Sequence, residues 1–230
     1  MSPAADAAGA PHVPGSSHTL SEARSKELLA RFGIPFPEEQ VVGDPESAAE
    51  AARGIGFPVV VKLNGERIAH KTERGLVRLN LSDAGAVRQA AAELLGAATP
   101  EDGEVSLLVA PMLRSTRELI AGLARDPQFG MTVMLGVGGV LAEAVADVTI
   151  RLVPIEREDA EEMIEDLSTQ RLLGAFRGEP PVDRSRLADL LLALSQAALA
   201  HPEIVSVDLN PVLIAGGEPI AVDALVEVEG

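Results

Sequence analysis

The sequence predicts an α+β fold arranged as lobes, not one doubly wound sheet. Strand and helix signals are mixed without strict βαβ alternation, a run of short strands follows Pro111, and no internal repeat appears. The 230 residues suffice for one large domain or two small lobes around a substantial core.

The elements follow in chain order. The first eighteen residues are mostly Ala, Pro, Gly, Ser and His, with neither a basic start nor an apolar stretch. They read as a disordered tail and not a secretory signal, with His12 and His18 inert. Thr19-Leu-Ser-Glu22 fits a capping box for a helix whose apolar face is Leu28, Leu29 and Phe32, ended by Gly33 and Pro35. Asp44-Pro45 fits the N-cap and first position of a helix over 46–53, closed by Gly54 or Gly56. Residues 59–63 read as a buried strand. Residues 76–81 read as a half-exposed strand, since Val77, Leu79 and Leu81 alternate with Arg78 and Asn80. A helix is expected from Ser82 to about Leu95, then a strand over 105–110 ending at a Pro111 hinge. Short strands are expected over 118–124, 131–135, 140–145 and 149–153. Helices follow over 157–167 and 184–200, the second with Leu187, Leu190, Leu191, Leu194 and Ala198 on one side. Strands over 204–209, 212–215 and 219–226 close the chain.

Composition removes several functions. A net charge of −16 disfavours nucleic acid and anionic membrane surfaces, which need a basic face. No cysteine is present, so disulfides, thiolate metal sites and cysteine nucleophiles are excluded. No stretch offers about 18 uninterrupted apolar residues for a membrane span, and cytoplasm is the default. With five Phe and neither Trp nor Tyr, the core must rest on Leu, Val, Ile and Ala.

Chemistry concentrates in Pro58-Val-Val-Val-Lys-Leu-Asn-Gly-Glu-Arg-Ile-Ala-His-Lys-Thr-Glu-Arg-Gly75. The chain has three lysines against sixteen arginines, and two of the three, Lys62 and Lys71, sit here. Lysine is a compact, flexible point charge suited to a phosphate chain, whereas arginine suits planar bidentate pairing. Lys62, Lys71, Arg74 and Arg78 form a local positive island in an acidic chain. His70 beside Lys71 adds a nucleophile: an imidazole nitrogen can attack phosphorus and split one hard transfer into two easier ones. A lone histidine is more often a structural hydrogen bonder; its place between these lysines reverses that preference.

The closing strands hold a second signal. In Ile204-Val-Ser-Val-Asp-Leu-Asn-Pro211, period two puts Val205, Val207 and Leu209 on one face and Ser206, Asp208 and Asn210 on the other. Asp223 lies in the apolar run Ile220-Ala-Val-Asp-Ala224. Asn210 and Asp223 offer two hard oxygen ligands, the usual protein share of a magnesium shell; Asn-Pro is equally a turn dipeptide. Asp208 is a candidate to orient His70. Gly136-Val-Gly-Gly139 fails the dinucleotide fingerprint, since Leu141 stands where Gly or Ala is needed, and it reads as tight backbone packing. Arg151 can reach a triphosphate or pair with Asp147 or Glu143. Glu118 can hold a ribose or a second metal, or be a surface strand carboxylate. His201 reads as a helix-end cap.

These motifs together resemble the ATP-grasp subunit of ADP-forming acyl-CoA synthetases, the β subunit of ADP-forming acetate–CoA ligase, and more distantly the β chain of succinyl-CoA synthetase. The resemblance spans about Thr19 to Val226. It rests on Leu20-Ser-Glu, His70-Lys-Thr-Glu-Arg-Gly75, Glu118-Leu-Ile, Asp126-Pro-Gln-Phe-Gly130, Gly136-Val-Gly-Gly139, Asp208-Leu-Asn-Pro211 and Val222-Asp-Ala224. It implies a two-lobed ATP-grasp fold with nucleotide between lobe one, about 41–112, and lobe two, about 19–40 plus 113–228. Lys62 would contact the phosphates and Glu118 the nucleotide; from the residues themselves, Lys71 and Arg151 are expected as further nucleotide contacts. Backbone groups from Val109 to Met112 would hold adenine. Asn210 and Asp223 would ligate Mg2+, and His70 would be a phosphohistidine stabilised by Asp208. The implied reaction is acyl-CoA + ADP + phosphate ⇌ carboxylate + ATP + CoA, run as a hetero-oligomer with a CoA-binding α-type partner. The other readings are an ATP-binding regulatory or scaffold module and an ATP-grasp carboxylate–amine ligase. Leu76 departs from the family pattern, which usually carries a second Gly there, and so bears on how the loop closes over phosphate.

Overall fold

The computed structural model describes residues 17–68, 71–139, 146–175 and 178–230. His70 and the strand expected over 140–145 lie outside the described residues. The chain enters through β1 (Ser17–Thr19) and α1 (Glu22–Ala30). The strand starts inside the expected tail, because residues 17–19 pair antiparallel with the last strand, Ser17 opposite Glu229. The helix is capped by Ser21, whose side chain accepts from Arg24 N, and not by Thr19. Glu22 thereby becomes the first helical residue, and it is buried.

The smaller lobe runs from β2 (Gln40–Val42) through α2 (Pro45–Ile55), β3 (Val59–Gly65), β4 (Val77–Leu81) and α3 (Ala84–Gly96) to β5 (Val105–Pro111). Its sheet is antiparallel in the order β2-β5-β3-β4. Asp44 and Asp83 cap the two helices by accepting from N–H groups of the first turn. Ala48, Ala49, Ala51 and Ala52 of α2 are buried, so that helix lies close against its neighbours. Along β3, Val59, Val61 and Leu63 join the buried cluster under the helices. The alternate residues Val60 and Lys62 face the opposite way, into a cavity. The strand β2 gave no sequence signal, since three residues are too few to show alternation.

The larger lobe carries β6 (Glu118–Asp126), β7 (Gly130–Val137), β8 (Val148–Leu152), α4 (Arg157–Glu165), α5 (Gln170–Leu173), α6 (Arg184–Ala200), β9 (Ile204–Ala215), β10 (Glu218–Ala221) and β11 (Leu225–Glu229). Strand order is β1-β11-β9-β6-β7-β8, with β10 on the other end of β9. Leu187, Leu190, Leu191 and Leu194 of α6 are buried in the core between helices and sheet, with Leu29 of α1 in the same cluster. Among the described residues, no helix is long and apolar enough to cross a membrane.

Two boundaries at the end of the chain differ from expectation, and they are linked. The strands expected over 204–209 and 212–215 are one strand, β9, whose pairing with β6 shifts register where Leu119 faces Val212 and Ala121 faces Leu209. Asn210-Pro211 is therefore a bulge, the usual place for a proline that cannot donate to a ladder. Opposite it the strand expected over 219–226 breaks in two. β10 pairs with Val212–Ala215 and β11 with the first half of β9, Leu225 facing Asp208. Val222, Asp223 and Ala224 cross the bulge between them, with Val222 N–H donating to Pro211 O at 3.1 Å. Asp223 thus sits in a break, outside any strand.

Candidate active site

A cavity of about 600 Å3 opens between the lobes. Val60 and Lys62 line it from β3, Ala110 to Leu113 from the segment joining the lobes, and Glu118, Asn210 and Asp223 from the larger lobe. A smaller cavity of about 170 Å3 is lined by Lys71, Thr72, Glu73, Asp208, Asn210, Asp223 and Leu225. Asn210, Asp223 and Thr72 line both, so they stand where the two spaces meet. The β9 bulge and the break after β10 are what bring Asn210 and Asp223 to this junction.

The charge beneath the junction is organised by Glu22. Its side chain is fully buried, and all three lysines of the chain converge on it. Lys62 Nζ lies 2.6 Å and Lys26 Nζ 2.8 Å from Oε1, and Lys71 Nζ lies 3.0 Å from Oε2. The Lys71 contact is one of charge, since Oε2 accepts no hydrogen bond of good geometry. Lys62 and Lys26 also donate to Val222 O, at 2.9 and 3.1 Å. Lys26 is held further by Glu39 at 2.7 Å. Burial alone would push the Glu22 carboxyl up, but the ammonium groups of Lys62, Lys26 and Lys71 outweigh it and hold the group well below the usual range. Asp223 Oδ2 lies 3.8 Å from Lys62 and Oδ1 3.6 Å from Lys71. Burial is the main influence on Asp223 and pushes its carboxyl up, against the pull of Lys62.

The turn after His70 is tightly tied. Leu76 N–H donates to Lys71 O at 2.8 Å, Gly75 N–H donates to Thr72 O at 3.1 Å, and Leu63 N–H donates to Leu76 O at 3.0 Å. Gly75 has φ +66°, a left-handed conformation that glycine adopts without strain. Leu76 itself is buried in the core of the smaller lobe with Ile68, so the departure from a second glycine anchors the turn. Arg74 grips Asp102 through two hydrogen bonds of 2.7 and 3.0 Å.

Of the expected site residues, the structure brings Lys62, Lys71, Met112, Glu118, Asp208, Asn210 and Asp223 to the two cavities. It does not bring Val109 or Arg151. Val109 is buried in the smaller lobe's core, with Val61 opposite it on one side and Gln40 on the other. Met112 lines the cavity, its N–H occupied by Pro58 O at 3.0 Å. Arg151 lies on the edge strand β8 and binds Asp166 at 2.6 Å and Glu162 at 3.7 Å, in place of Asp147 or a phosphate. Asp147 instead accepts from Ser168 and Thr169 N–H. The positive island also shrinks, since Arg74 is bound by Asp102 and Arg78 by Gly75 O. The glycines after β7 pack as expected: a Cβ on Gly138 would stand 3.1 Å from Leu119 O, and one on Gly139 3.4 Å from Glu118 Oε2. His201 caps α6 through its N–H, while its ring pairs with Glu203 at 2.9 Å. From sequence, Glu22 reads only as part of a capping box and of the Leu20-Ser-Glu motif, Thr72 only as part of the motif that begins at His70, and Lys26 has no reading; that third lysine, four residues after Glu22, was the available signal.

Among the described residues no group of three or more His, Asp or Glu could hold an ion unaided. Asp223 and Asn210 are two hard oxygen donors at the edge of a cavity large enough for an anionic ligand. That fits an ion delivered with phosphate oxygens, the arrangement Mg2+ favours.

Two antiparallel sheets joined at a hinge, with Lys62 and Lys71 of one lobe meeting Asn210 and Asp223 of the other at the cavities between them, define an ATP-grasp domain. The family model for the ATP-grasp domain matches residues 13–228, and the chain belongs to that family. Within it, the chain is 38% identical over 208 residues to the β subunit of ADP-forming acetate–CoA ligase I from Pyrococcus furiosus, covering 89% of this chain and 90% of the relative. The fold is similar to dinucleotide-forming acetyl-coenzyme A synthetase 1 of Ca. Korarchaeum cryptofilum in complex with coenzyme A and Ca-AMPCP. The TM-score is 0.85 at 36% identity, over 92% of this chain and 93% of that one. A second structure of that enzyme, with coenzyme A and Mg-AMPPCP and its phosphohistidine segment pointing towards the nucleotide binding site, matches with a TM-score of 0.77 at 37% identity, again over 92% and 93%.

Proposed function

We propose that the chain is the nucleotide-handling β subunit of an ADP-forming acyl-CoA synthetase, which interconverts acyl-CoA, ADP and phosphate with carboxylate, ATP and CoA. The observation that carries this reading is the meeting of Lys62, Lys71, Asn210 and Asp223 at one interlobe cleft. Likeness over 90% of the length of an ADP-forming acetate–CoA ligase β subunit supports it. Val60, Ala110 and Leu113 give the large cavity an apolar wall suited to adenine, and Glu118 stands at its larger-lobe side. Lys62 and Lys71 supply the positive charge that phosphoryl transfer needs from its surroundings. Asn210 and Asp223 would hold Mg2+, which when bound neutralises and orients phosphate oxygens.

His70 immediately precedes Lys71, and Lys71 lines the same small cavity as Asp208. In the ATP-consuming direction an imidazole nitrogen of His70 attacks the terminal phosphorus. A P–N bond forms, the bond to the bridging oxygen breaks, and ADP leaves. Asp208 holds the proton on the other ring nitrogen and so keeps the attacking one unprotonated. The phosphoryl group then passes to a CoA-binding α-type partner, which completes the reaction as a hetero-oligomer in the cytoplasm. The test is to mix the chain with a purified CoA-binding partner, acetyl-CoA, ADP, phosphate and Mg2+. ATP formation that needs both chains and is lost in Lys62→Met supports the proposal. Tight ATP binding without ATP formation contradicts it and favours a binding module.

A further inference from the structure

Lys62 and Lys71 belong to the smaller lobe, yet their ammonium groups are seated on a carboxylate supplied by α1, whose Leu29 joins the larger lobe's core. Three lysines this close would repel one another and withdraw along their flexible stems without a shared anion. Glu22 is that anion. Its two oxygens are divided between the lysines, Oε1 for Lys62 and Lys26 and Oε2 for Lys71. Glu39 takes a further part of the Lys26 charge at 2.7 Å. On the cavity side Lys62 and Lys71 both turn to Asp223. Lys62 faces the large cavity and Lys71 the small one, so one buried carboxylate fixes the ammonium groups of both spaces.

We infer that Glu22 is a positioning residue of the phosphate site, holding Lys62 and Lys71 side by side for the phosphate chain without touching the nucleotide. The inference rests on the reading of the cleft as a nucleotide site. It separates two consequences that a general loss of packing would not. A carboxylate that merely holds the lobes together supports the base and phosphate regions alike. One that sets lysine geometry acts only on ligands that carry phosphates.

The test is calorimetric titration of the full chain with ATP plus Mg2+ and, separately, with adenosine. Glu22→Gln keeps the shape of the side chain and removes its charge. It is expected to weaken ATP binding about tenfold or more, the scale of one lost charge-assisted hydrogen bond, and to leave adenosine binding unchanged. Glu22→Asp keeps the charge but withdraws it by one methylene, and its ATP affinity should fall between the two. Unchanged ATP affinity, or equal weakening of ATP and adenosine, overturns the inference. If Glu22→Gln does not fold, Glu22→Asp carries the same comparison. Lys62→Met separates the two levels: should it leave ATP affinity intact, the nucleotide site itself is misassigned. Should it weaken ATP while Glu22→Gln does not, only the role of Glu22 fails.

Discussion

Leu76 stands where the resemblance leads one to expect glycine, and restoring the glycine should harm the protein. The Leu76 side chain is 2% exposed and belongs to the buried cluster of the smaller lobe together with Ile68, Leu63 and Leu94. Its φ is not positive, so the backbone has no need of glycine there. Removing a buried leucine to alanine costs about 2–5 kcal/mol, and going on to glycine adds about 0.5–1 kcal/mol of backbone entropy. Leu76→Gly is therefore expected to lose about 2.5–6 kcal/mol, a large share of the roughly 5–15 kcal/mol that holds a typical domain folded. Urea denaturation followed by circular dichroism measures the loss, with Leu76→Ala as the intermediate step. The local consequence falls on Lys71, whose carbonyl is held by Leu76 N–H at 2.8 Å. A loss below about 1 kcal/mol for Leu76→Gly would refute the reasoning, because the turn would then not be anchored by that side chain.

Acid should weaken the fold partly through Glu22. Its folded carboxyl sits below the usual 4.5, so as pH falls the unfolded chain takes up that proton first, and stability is lost through the window beneath 4.5. Glu22→Gln should be less stable at neutral pH by about 3–5 kcal/mol, the scale of breaking a buried ion pair, and the gap should narrow as pH drops below 4.5 in parallel denaturation curves. Gly122→Ala should fail to give soluble protein, because its Cβ would lie 2.2 Å from Val207 O, on the strand that carries Asp208 and Asn210; normal expression and melting of this variant would contradict the β6–β9 pairing. Arg151→Ala should leave ATP affinity unchanged and cost about 0–1 kcal/mol of stability, since it removes only a partly exposed pairing with Asp166 and Glu162. Calorimetry showing weaker ATP binding in that variant would return Arg151 to the nucleotide.

What could be read from the sequence follows from the range over which each signal acts. The helix α6 was bounded correctly because Asp183 caps it and its leucines repeat at helical spacing. The pair Asn210 and Asp223 was legible because polar residues interrupt apolar strands, which demands a reason. The form of that interruption was not legible. A bulge and a strand end both place Asn-Pro at a break in alternation, and only the partner strand β6 distinguishes them. Arg151 misled for a related reason, since a charged residue in an apolar strand looks the same at a sheet edge as in a cleft. The role of Glu22 was hidden because its partner Lys62 lies 40 residues away on β3, and on α1 alone Glu22 reads as a capping-box residue.

The proposed function turns on His70 carrying phosphate and not merely lying beside it. The direct measurement is mass spectrometry of the chain after incubation with ATP and Mg2+, with peptides kept at alkaline pH to preserve a P–N bond. One phosphoryl group is expected on the peptide containing His70, labile to acid and lost in His70→Ala while ATP still binds. ATP bound with no phosphoryl group on that peptide, or one that survives acid, contradicts it.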